Sequence, residues 1–140
     1  MNFTKIIIDS DIATKEELFK YIAKVFAEEK VVQSADDFVT ALNERESQVS
    51  TGLMDGIAIP HGKCSSVLSS GALVIKLKTP IDYTTLDDSL VNYVFALAIP
   101  ENSDTHLDTL SNLSMKLMED ECRENLEKAK TVEDIARIFA

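Results

Sequence analysis

A run of ten residues, Val91–Pro100, is almost wholly apolar and constrains the fold more than any other stretch of the chain. A strand with apolar side chains on both faces must be covered on both faces, as the central strands of α/β proteins are. The run therefore predicts a sheet with helices packed on each side. Proline has no N–H to donate to a sheet ladder, so Pro100 marks the end of this strand.

Three shorter apolar runs predict the neighbouring strands. They are Lys5–Ile8, then Ile57–Ile59, which leads into Pro60, and Gly71–Leu77, which is followed closely by Thr79–Pro80. Short apolar runs bounded by proline or by polar turn residues are typical of strands. We therefore expect each of the last two strands to stop at its proline.

Helical periodicity predicts five amphipathic segments around these strands. Capping side chains precede three of them, at Thr14, Ser34 and Thr131, and residues 102–105 offer capping side chains for another. The side chains expected to face the core are Leu18, Ile22, Val25 and Phe26 in a helix to about Lys30; Phe38, Leu42 and Val49 in the second; Leu107, Leu110, Leu113 and Leu117 in the third; and Ile135, Ile138 and Phe139 in the last, after a short helix over residues 121–128. Interleaved strands and helices predict an α/β fold. We expect a mixed, mainly parallel β-sheet sandwiched by α-helices, in a single compact domain over residues 1–140.

The composition excludes several functional classes. The chain carries 14 Lys and Arg against 24 Asp and Glu, a formal net charge of −10. A general nucleic-acid binder needs a cationic surface, so that class is excluded, as is docking on anionic lipid. An acidic surface favours a basic protein partner. The longest apolar run, Val94–Ile99, is too short for membrane insertion, and the start of the chain lacks the features of a signal peptide. Cys64 and Cys122 form no CxxC pair, which argues against a disulfide framework and fits a reducing cytoplasm.

The two histidines each follow a proline that stops a predicted strand. His61 comes directly after Pro60, and His106 lies a few residues beyond Pro100. Ligands of α/β sheets gather outside the carboxyl ends of strands. Two parallel, neighbouring strands would therefore bring both imidazoles to one end of the sheet. Gly62 removes side-chain bulk beside His61 and permits a sharp turn there.

Arg45, at the C-terminal end of the second predicted helix, could reach the same place. A helix that begins near His106 would add free N–H groups, which favour an anion. A neutral imidazole is a good nucleophile near pH 7. Two imidazoles, a guanidinium and a helix N-terminus together indicate a phosphoryl site.

The sequence alone leaves other interpretations open. His106 could be a simple helix-entry residue, and Arg45 could form surface ion pairs with the glutamates on either side of it. A metal-dependent hydrolase could hold zinc with His61, Cys64 and His106, although their spacing matches no common zinc pattern. The GxSxG, Walker A and GxGxxG motifs are absent from the sequence, which argues against a serine hydrolase and against a nucleotide kinase.

Four segments carry a more specific pattern, namely Arg45–Glu46, Ser50–Gly52, Gly56–Gly62 and His106–Leu110. Together they resemble the signature of the fructose/mannitol-type enzyme IIA domains of the bacterial phosphotransferase system. The resemblance covers nearly the whole chain, and its most specific part is the Ala-Ile-Pro-His core that ends at His61. Because no linked IIB or IIC segment is visible, we expect a free-standing subunit or an excised domain.

The resemblance implies a phosphocarrier. His61 matches the histidine that takes a phosphoryl group, as tele-phosphohistidine, from the histidine-containing phosphocarrier protein HPr. It passes the group to a cysteine of enzyme IIB, which serves the membrane component IIC during sugar uptake. His106 matches the histidine that steadies the phosphoryl group, and Arg45 matches the arginine that neutralises its charge. Thr51 lies in the motif and is expected to help shape the pocket. No cofactor and no metal is implied.

A nitrogen-related regulatory branch of the same system carries the same signature, and it offers a second reading. In that branch the phosphorylation state of His61 would control other proteins instead of sugar uptake. In either case we expect the docking surface around His61 to be apolar. Leu53, Met54 and Ile57 are candidates for its rim, with core packing the stronger expectation for Ile57.

Overall fold

The computed structural model describes residues 2–103 and 106–140, with the side chains of residues 106 and 107 outside the description. Five strands and five helices occur in the described residues. The strands are β1 (Lys5–Ser10), β2 (Ile57–Ala58), β3 (His61–Cys64), β4 (Gly71–Ile81) and β5 (Val91–Pro100), and the helices are α1 (Lys15–Glu28), α2 (Ala35–Gln48), α3 (His106–Leu117), α4 (Asp120–Lys128) and α5 (Val132–Ile138).

The sheet has the order β1-β4-β5-β2, and β3 also pairs with β5. Strand β1 runs parallel to β4, and β2 and β3 both run parallel to β5, while β4 and β5 are antiparallel. Strand β5 therefore has β4 on one side, and β2 followed by β3 on the other. The prediction of a mixed, mainly parallel sheet between helices is confirmed.

The apolar run of β5 packs against helices on both faces, as predicted. Its side chains alternate between two buried clusters, because successive residues of a strand point to opposite faces. Val94, Ala96 and Ala98 join the cluster formed with α1 and α2. Phe95 and Leu97 join the cluster formed with the other three helices. Within the described ranges, no helix combines the length and the apolar character that crossing a bilayer requires.

Strand β4 does not stop before Thr79 and Pro80 as predicted. It continues to Ile81, where pairing with Val91 resumes after a register shift that follows Lys76. A proline is tolerated in a strand where the ladder is interrupted, since its missing N–H is not needed there. The predicted stop was therefore wrong, and Pro80 lies within an irregular stretch of the strand.

The predicted helix caps at Thr14, Ser34 and Thr131 are confirmed, because each side chain accepts a hydrogen bond from the backbone N–H three residues later. Asp104 and Thr105, predicted as caps for α3, lie outside the described residues. Val49 was predicted to face the core, which is wrong: it follows the end of α2 and is 64% exposed.

Candidate functional site

Pro60 lies between two strands, so the strand that leads to it stops as predicted, but a new strand begins directly after it. Strand β2 stops at Ala58, and β3 starts at His61, with both strands on β5. Pro60 cannot donate a hydrogen bond, yet its carbonyl still accepts one from the Leu97 N–H at 3.0 Å. His61 is therefore the first residue of the resumed strand, which corrects the prediction that it lies just beyond a strand's end.

Gly62 makes room for a helix and forms no sharp turn. It is buried in β3, and a Cβ atom on it would lie 3.0 Å from Phe38 and 3.2 Å from Ala41, both in α2. Since neighbouring residues of a strand face opposite ways, His61 projects to the other face, on which α3 packs. The absence of a side chain at Gly62 lets α2 approach the edge strand closely, and this brings the end of α2 to His61.

The hydrogen bonds of the His61 ring fix its tautomer. Nδ1 lies 3.0 Å from the carbonyl oxygen of Ile59, which can only accept, so Nδ1 carries the proton. Nε2 therefore holds the lone pair, and it accepts a hydrogen bond from Nε of Arg45 at 3.0 Å. Burial and the charge of Arg45 lower the pKa of His61 below its ordinary value, against the raising effects of the Ile59 hydrogen bond and of Glu46. The half-buried ring is thus held neutral at pH 7 with Nε2 unprotonated.

Arg45 reaches His61 from the last turn of α2. Its Nη1 also donates to the carbonyl oxygen of Val49 at 2.8 Å, which closes the end of the helix. The sequence left open a surface ion pair with Glu44 or Glu46, but no ion pair of Arg45 occurs among the described residues. A guanidinium without a carboxylate partner is a ready site for an added anion.

Thr51 is connected to the imidazole through Ile59, whose N–H donates to the Thr51 carbonyl and whose carbonyl oxygen lies 3.0 Å from Nδ1 of His61. It is buried, and its hydroxyl lies 2.6 Å from Oε1 of Glu46 and 2.6 Å from the hydroxyl of Tyr83. Lys15 completes the cluster with an ion pair of 2.8 Å to Glu46. We expect Thr51 to shape the site through these bonds, since its hydroxyl is already occupied.

The sequence interpretation missed the roles of Lys15, Glu46 and Tyr83 in this cluster. One local signal was available, because Lys15 is the first residue of α1. A cation is unfavourable at the positive end of a helix dipole. A lysine at that position therefore indicates a carboxylate partner elsewhere in the fold.

His106 begins α3, but its side chain lies outside the described residues, so its predicted contact with the site stays a prediction. Cys64 is half-buried and packs against the cluster of α1 and α2. It is three residues from His61 on the same strand, so the two side chains project to opposite faces. This separation argues against a zinc site that shares His61 and Cys64.

The three residues proposed for an apolar rim differ in burial. Ile57 is 2% exposed and belongs to the core, which agrees with the stronger of the two expectations for it. Leu53 packs partly buried against the same cluster, and Met54 is also half-buried. Leu53 and Met54 therefore remain available as rim residues.

Comparison with known proteins identifies the family to which the chain belongs. The family model described as "Phosphoenolpyruvate-dependent sugar phosphotransferase system, EIIA 2" matches residues 1–140. The chain is 35% identical, over 126 residues, to the PTS system fructose-specific EIIABC component of Bacillus subtilis. That match covers 89% of this chain and 20% of the relative, so the chain spans about a fifth of the relative's length.

The fold is shared by several solved structures. The nitrogen regulatory protein IIA-Ntr from Neisseria meningitidis is 30% identical, with a TM-score of 0.89 over 98% of this chain and 94% of that one. A complex of enzyme IIAMTL and phosphorylated enzyme IIBMTL from Escherichia coli matches with a TM-score of 0.80 at 21% identity, over 99% of this chain and 95% of that one. At that lower identity, the second match shows the fold alone.

Proposed function

Since the chain belongs to the EIIA type-2 family of the phosphoenolpyruvate-dependent sugar phosphotransferase system, we propose that His61 is its phosphoryl-carrying residue. The ring would accept the group on Nε2 from phosphorylated HPr and pass it to a cysteine of enzyme IIB. One observation carries the proposal: the Nδ1 proton is bound to the Ile59 carbonyl, and the lone pair on Nε2 is directed toward Arg45. A nucleophilic nitrogen next to an unpaired cation is the arrangement that phosphoryl transfer requires.

The transfer balances without a cofactor. The Nε2 lone pair of His61 forms the new N–P bond while the N–P bond to the donor histidine breaks, and the proton on Nδ1 stays in place. In the second step, the thiolate of a IIB cysteine forms an S–P bond as the bond to Nε2 breaks, and the electron pair of that bond returns to Nε2. Positioning and charge stabilisation supply most of the catalysis in reactions of this kind.

Arg45 must change its hydrogen bond during the first step. Its Nε–H occupies the lone pair of Nε2, at 3.0 Å, that attacks phosphorus. A phosphoryl group also brings a charge of about −1.5 to −2. The guanidinium would release the ring nitrogen and donate to the phosphoryl oxygens, where its positive charge stabilises their negative charge. His106, at the start of α3, is proposed to contact the same oxygens.

The partner proposal draws on the shared fold of the mannitol IIA domain in the complex with phosphorylated IIB. An acidic chain with a net charge of −10 also suits a basic docking face on the upstream carrier. Of the two roles left open by the sequence, we propose sugar uptake, in line with the fructose-specific relative. The similarity to IIA-Ntr favours nitrogen-type regulation as the second candidate.

The test is phosphoryl transfer from ³²P-labelled phospho-HPr. We expect the wild-type protein to take one label that is lost at acid pH, as phosphohistidine is, and His61→Ala to take none. Labelling of His61→Ala at another residue would contradict the assignment. Transfer onward to a panel of purified IIB proteins then separates the roles. Rapid transfer to a sugar-specific IIB supports uptake, and transfer to no IIB supports regulation.

A further inference from the structure

Glu46 is a largely buried carboxylate, and both of its oxygens accept hydrogen bonds. Oε2 accepts from Nζ of Lys15 at 2.8 Å and from the backbone N–H of Thr51 at 2.9 Å. Oε1 accepts from the Thr51 hydroxyl at 2.6 Å and from the Tyr83 hydroxyl at 3.2 Å. Its side chain is only 9% exposed. Burial alone would raise the pKa of Glu46, but the hydrogen bonds from Lys15 and Thr51 outweigh it and lower the pKa, so the group is an anion at pH 7.

A short chain of hydrogen bonds connects this carboxylate to the imidazole. Glu46 holds the N–H and the hydroxyl of Thr51, and the Thr51 carbonyl accepts from the Ile59 N–H at 3.0 Å. The Ile59 carbonyl in turn accepts the Nδ1 proton of His61 at 3.0 Å. Each hydrogen bond in this series holds the backbone of the next residue in place. The orientation of the His61 ring therefore depends on the position of Thr51.

Glu46 also stands next to Arg45 in α2, yet the two side chains project in different directions, as neighbouring residues of a helix do. Arg45 reaches the Nε2 side of His61, while Glu46 reaches the loop that supports the Nδ1 side. One turn of α2 therefore carries both the residue that contacts Nε2 and the residue that supports the Nδ1 side through the loop.

Lys15 keeps the Glu46 charge away from Arg45. It forms the 2.8 Å ion pair with Glu46, and its Nζ lies 4.2 Å from the centre of the Tyr83 ring. With its charge compensated by Lys15, Glu46 forms no ion pair with Arg45 among the described residues. The cluster therefore leaves the guanidinium available for a phosphoryl dianion.

We propose that Glu46 is a positioning residue for phosphoryl transfer. Through Thr51 and Ile59 it orients His61 so that Nε2 is the reacting nitrogen, and through its pairing with Lys15 it leaves Arg45 uncompensated. This inference rests on the proposed function of His61. Glu46 itself touches neither the phosphoryl group nor the donor protein.

The first test compares Glu46→Gln with Glu44→Gln. Both remove one negative charge beside Arg45, but Glu44 is exposed and has no part in the cluster. Glutamine keeps only one acceptor oxygen, replaces the other with an NH2 donor, and loses the charge that pairs with Lys15. We expect Glu46→Gln to lower the single-turnover rate at saturating phospho-HPr by about 100-fold, the cost of a small misplacement of a reacting group. The concentration of donor that gives half the maximal rate should not change, and Glu44→Gln should behave as wild type.

A second readout detects positioning directly. ¹⁵N NMR of the His61 ring should report one tautomer, with the proton on Nδ1, in the wild-type protein and in Glu44→Gln. In Glu46→Gln we expect a mixture of tautomers and a lower His61 pKa, since the charge of Glu46 raises it. A loss of stability alone would alter neither quantity in the folded protein.

The double variant Lys15→Met with Glu46→Gln keeps the test valid if Glu46→Gln misfolds, because it removes both members of the ion pair together and leaves no unpaired lysine. It should show the same slow transfer and mixed tautomers as Glu46→Gln. If folded Glu46→Gln and the double variant transfer at the wild-type rate and keep a single tautomer, the positioning role is wrong while the proposed function stands. If the wild-type protein takes no label on His61, the proposed function fails and this inference fails with it.

Discussion

Nε of Arg45 lies 3.0 Å from Nε2 of His61, so a permanent cation donates into the lone pair that is proposed to attack phosphorus. This hydrogen bond has two consequences. It makes protonation of His61 unfavourable, because a second positive charge would face the guanidinium. It also holds the arginine within reach of any group that joins to Nε2. The pair therefore suits a ring that is neutral before the transfer and carries a doubly negative phosphoryl group after it.

The role of Arg45 can be tested with Arg45→Lys. The variant keeps a positive charge but loses the planar fork that can contact the ring and the phosphoryl oxygens in turn. We expect single-turnover transfer from phospho-HPr to fall by about 100- to 1,000-fold, as for the loss of one oxyanion donor. Arg137→Ala, which removes an exposed arginine paired with Asp134, is the control and should leave the rate unchanged. A rate for Arg45→Lys within twofold of wild type would contradict the proposed role.

Arg45→Ala should also change the titration of His61. The Arg45 charge lowers the pKa of the ring, so we expect the pKa to rise when that charge is removed. NMR titration of the ring C–H signals measures the effect without a donor protein. An unchanged or lower pKa in Arg45→Ala would mean that the two side chains do not interact in solution.

The pH dependence follows from the same shift. The folded-state pKa of His61 is lowered, chiefly by burial, below the ordinary value of about 6.5. The imidazole should thus become protonated, and phosphoryl acceptance should decline, at a lower pH than for an ordinary histidine. The stability that His61 contributes is present above its unfolded pKa and is lost as the pH falls through the folded pKa. An NMR midpoint at or above the ordinary value would contradict this expectation.

Two glycines beside the site should differ in their tolerance of alanine. A Cβ atom at Gly52 would lie 2.1 Å from the backbone oxygen of Thr84, which cannot move without shifting the loop. At Gly62 the nearest atom belongs to the Phe38 ring, at 3.0 Å, and a ring can tilt. We expect Gly62→Ala to lower the free energy of unfolding by about 1–3 kcal/mol, and Gly52→Ala to lower it further. Urea unfolding of both variants measures the difference, and the reverse order would show that the Thr84 loop yields more easily than α2.

Asp87 links the loop that contains Asp55 to the loop that contains Ser89, and its contribution to stability can be tested by acid titration. Its carboxylate accepts from the Asp55 N–H at 3.0 Å, and from the N–H and hydroxyl of Ser89 at 3.1 and 2.7 Å. The hydrogen bonds from Ser89 and Asp55 hold the pKa of Asp87 well below its ordinary value. The stability that it contributes is therefore present above the ordinary carboxyl range and is lost as the pH falls through the lowered pKa.

We expect Asp87→Asn to lower the Tm at pH 7, and the gap to wild type to narrow progressively in acid. Asp88→Asn is a matched control, because Asp88 is exposed and asparagine tolerates its positive φ of 60°. A gap between Asp87→Asn and wild type that is the same at pH 7 and pH 3 would contradict the prediction.

The sequence predicted the layers of the fold because local patterns carry that information. The apolar run of β5 indicated a strand covered on both faces, and the caps at Thr14, Ser34 and Thr131 located the starts of three helices. The prolines were incomplete signals, because β4 continued through Pro80 and the new strand β3 began directly after Pro60. In each case pairing resumed on a neighbouring strand, and such pairing is invisible in a local pattern.

For the site, the sequence determined which groups were available: His61 directly after a proline that stops a strand, with Arg45 at the end of a helix. The tertiary structure decided their geometry. Lys15 and Tyr83, which join the Glu46 cluster, lie 68 residues apart in the chain, and α2 reaches the edge strand only because Gly62 has no side chain. Periodicity and capping act over one or two helical turns, whereas a buried carboxylate finds its donors only after the layers have packed. The residues that orient the imidazole therefore became visible only in the folded protein.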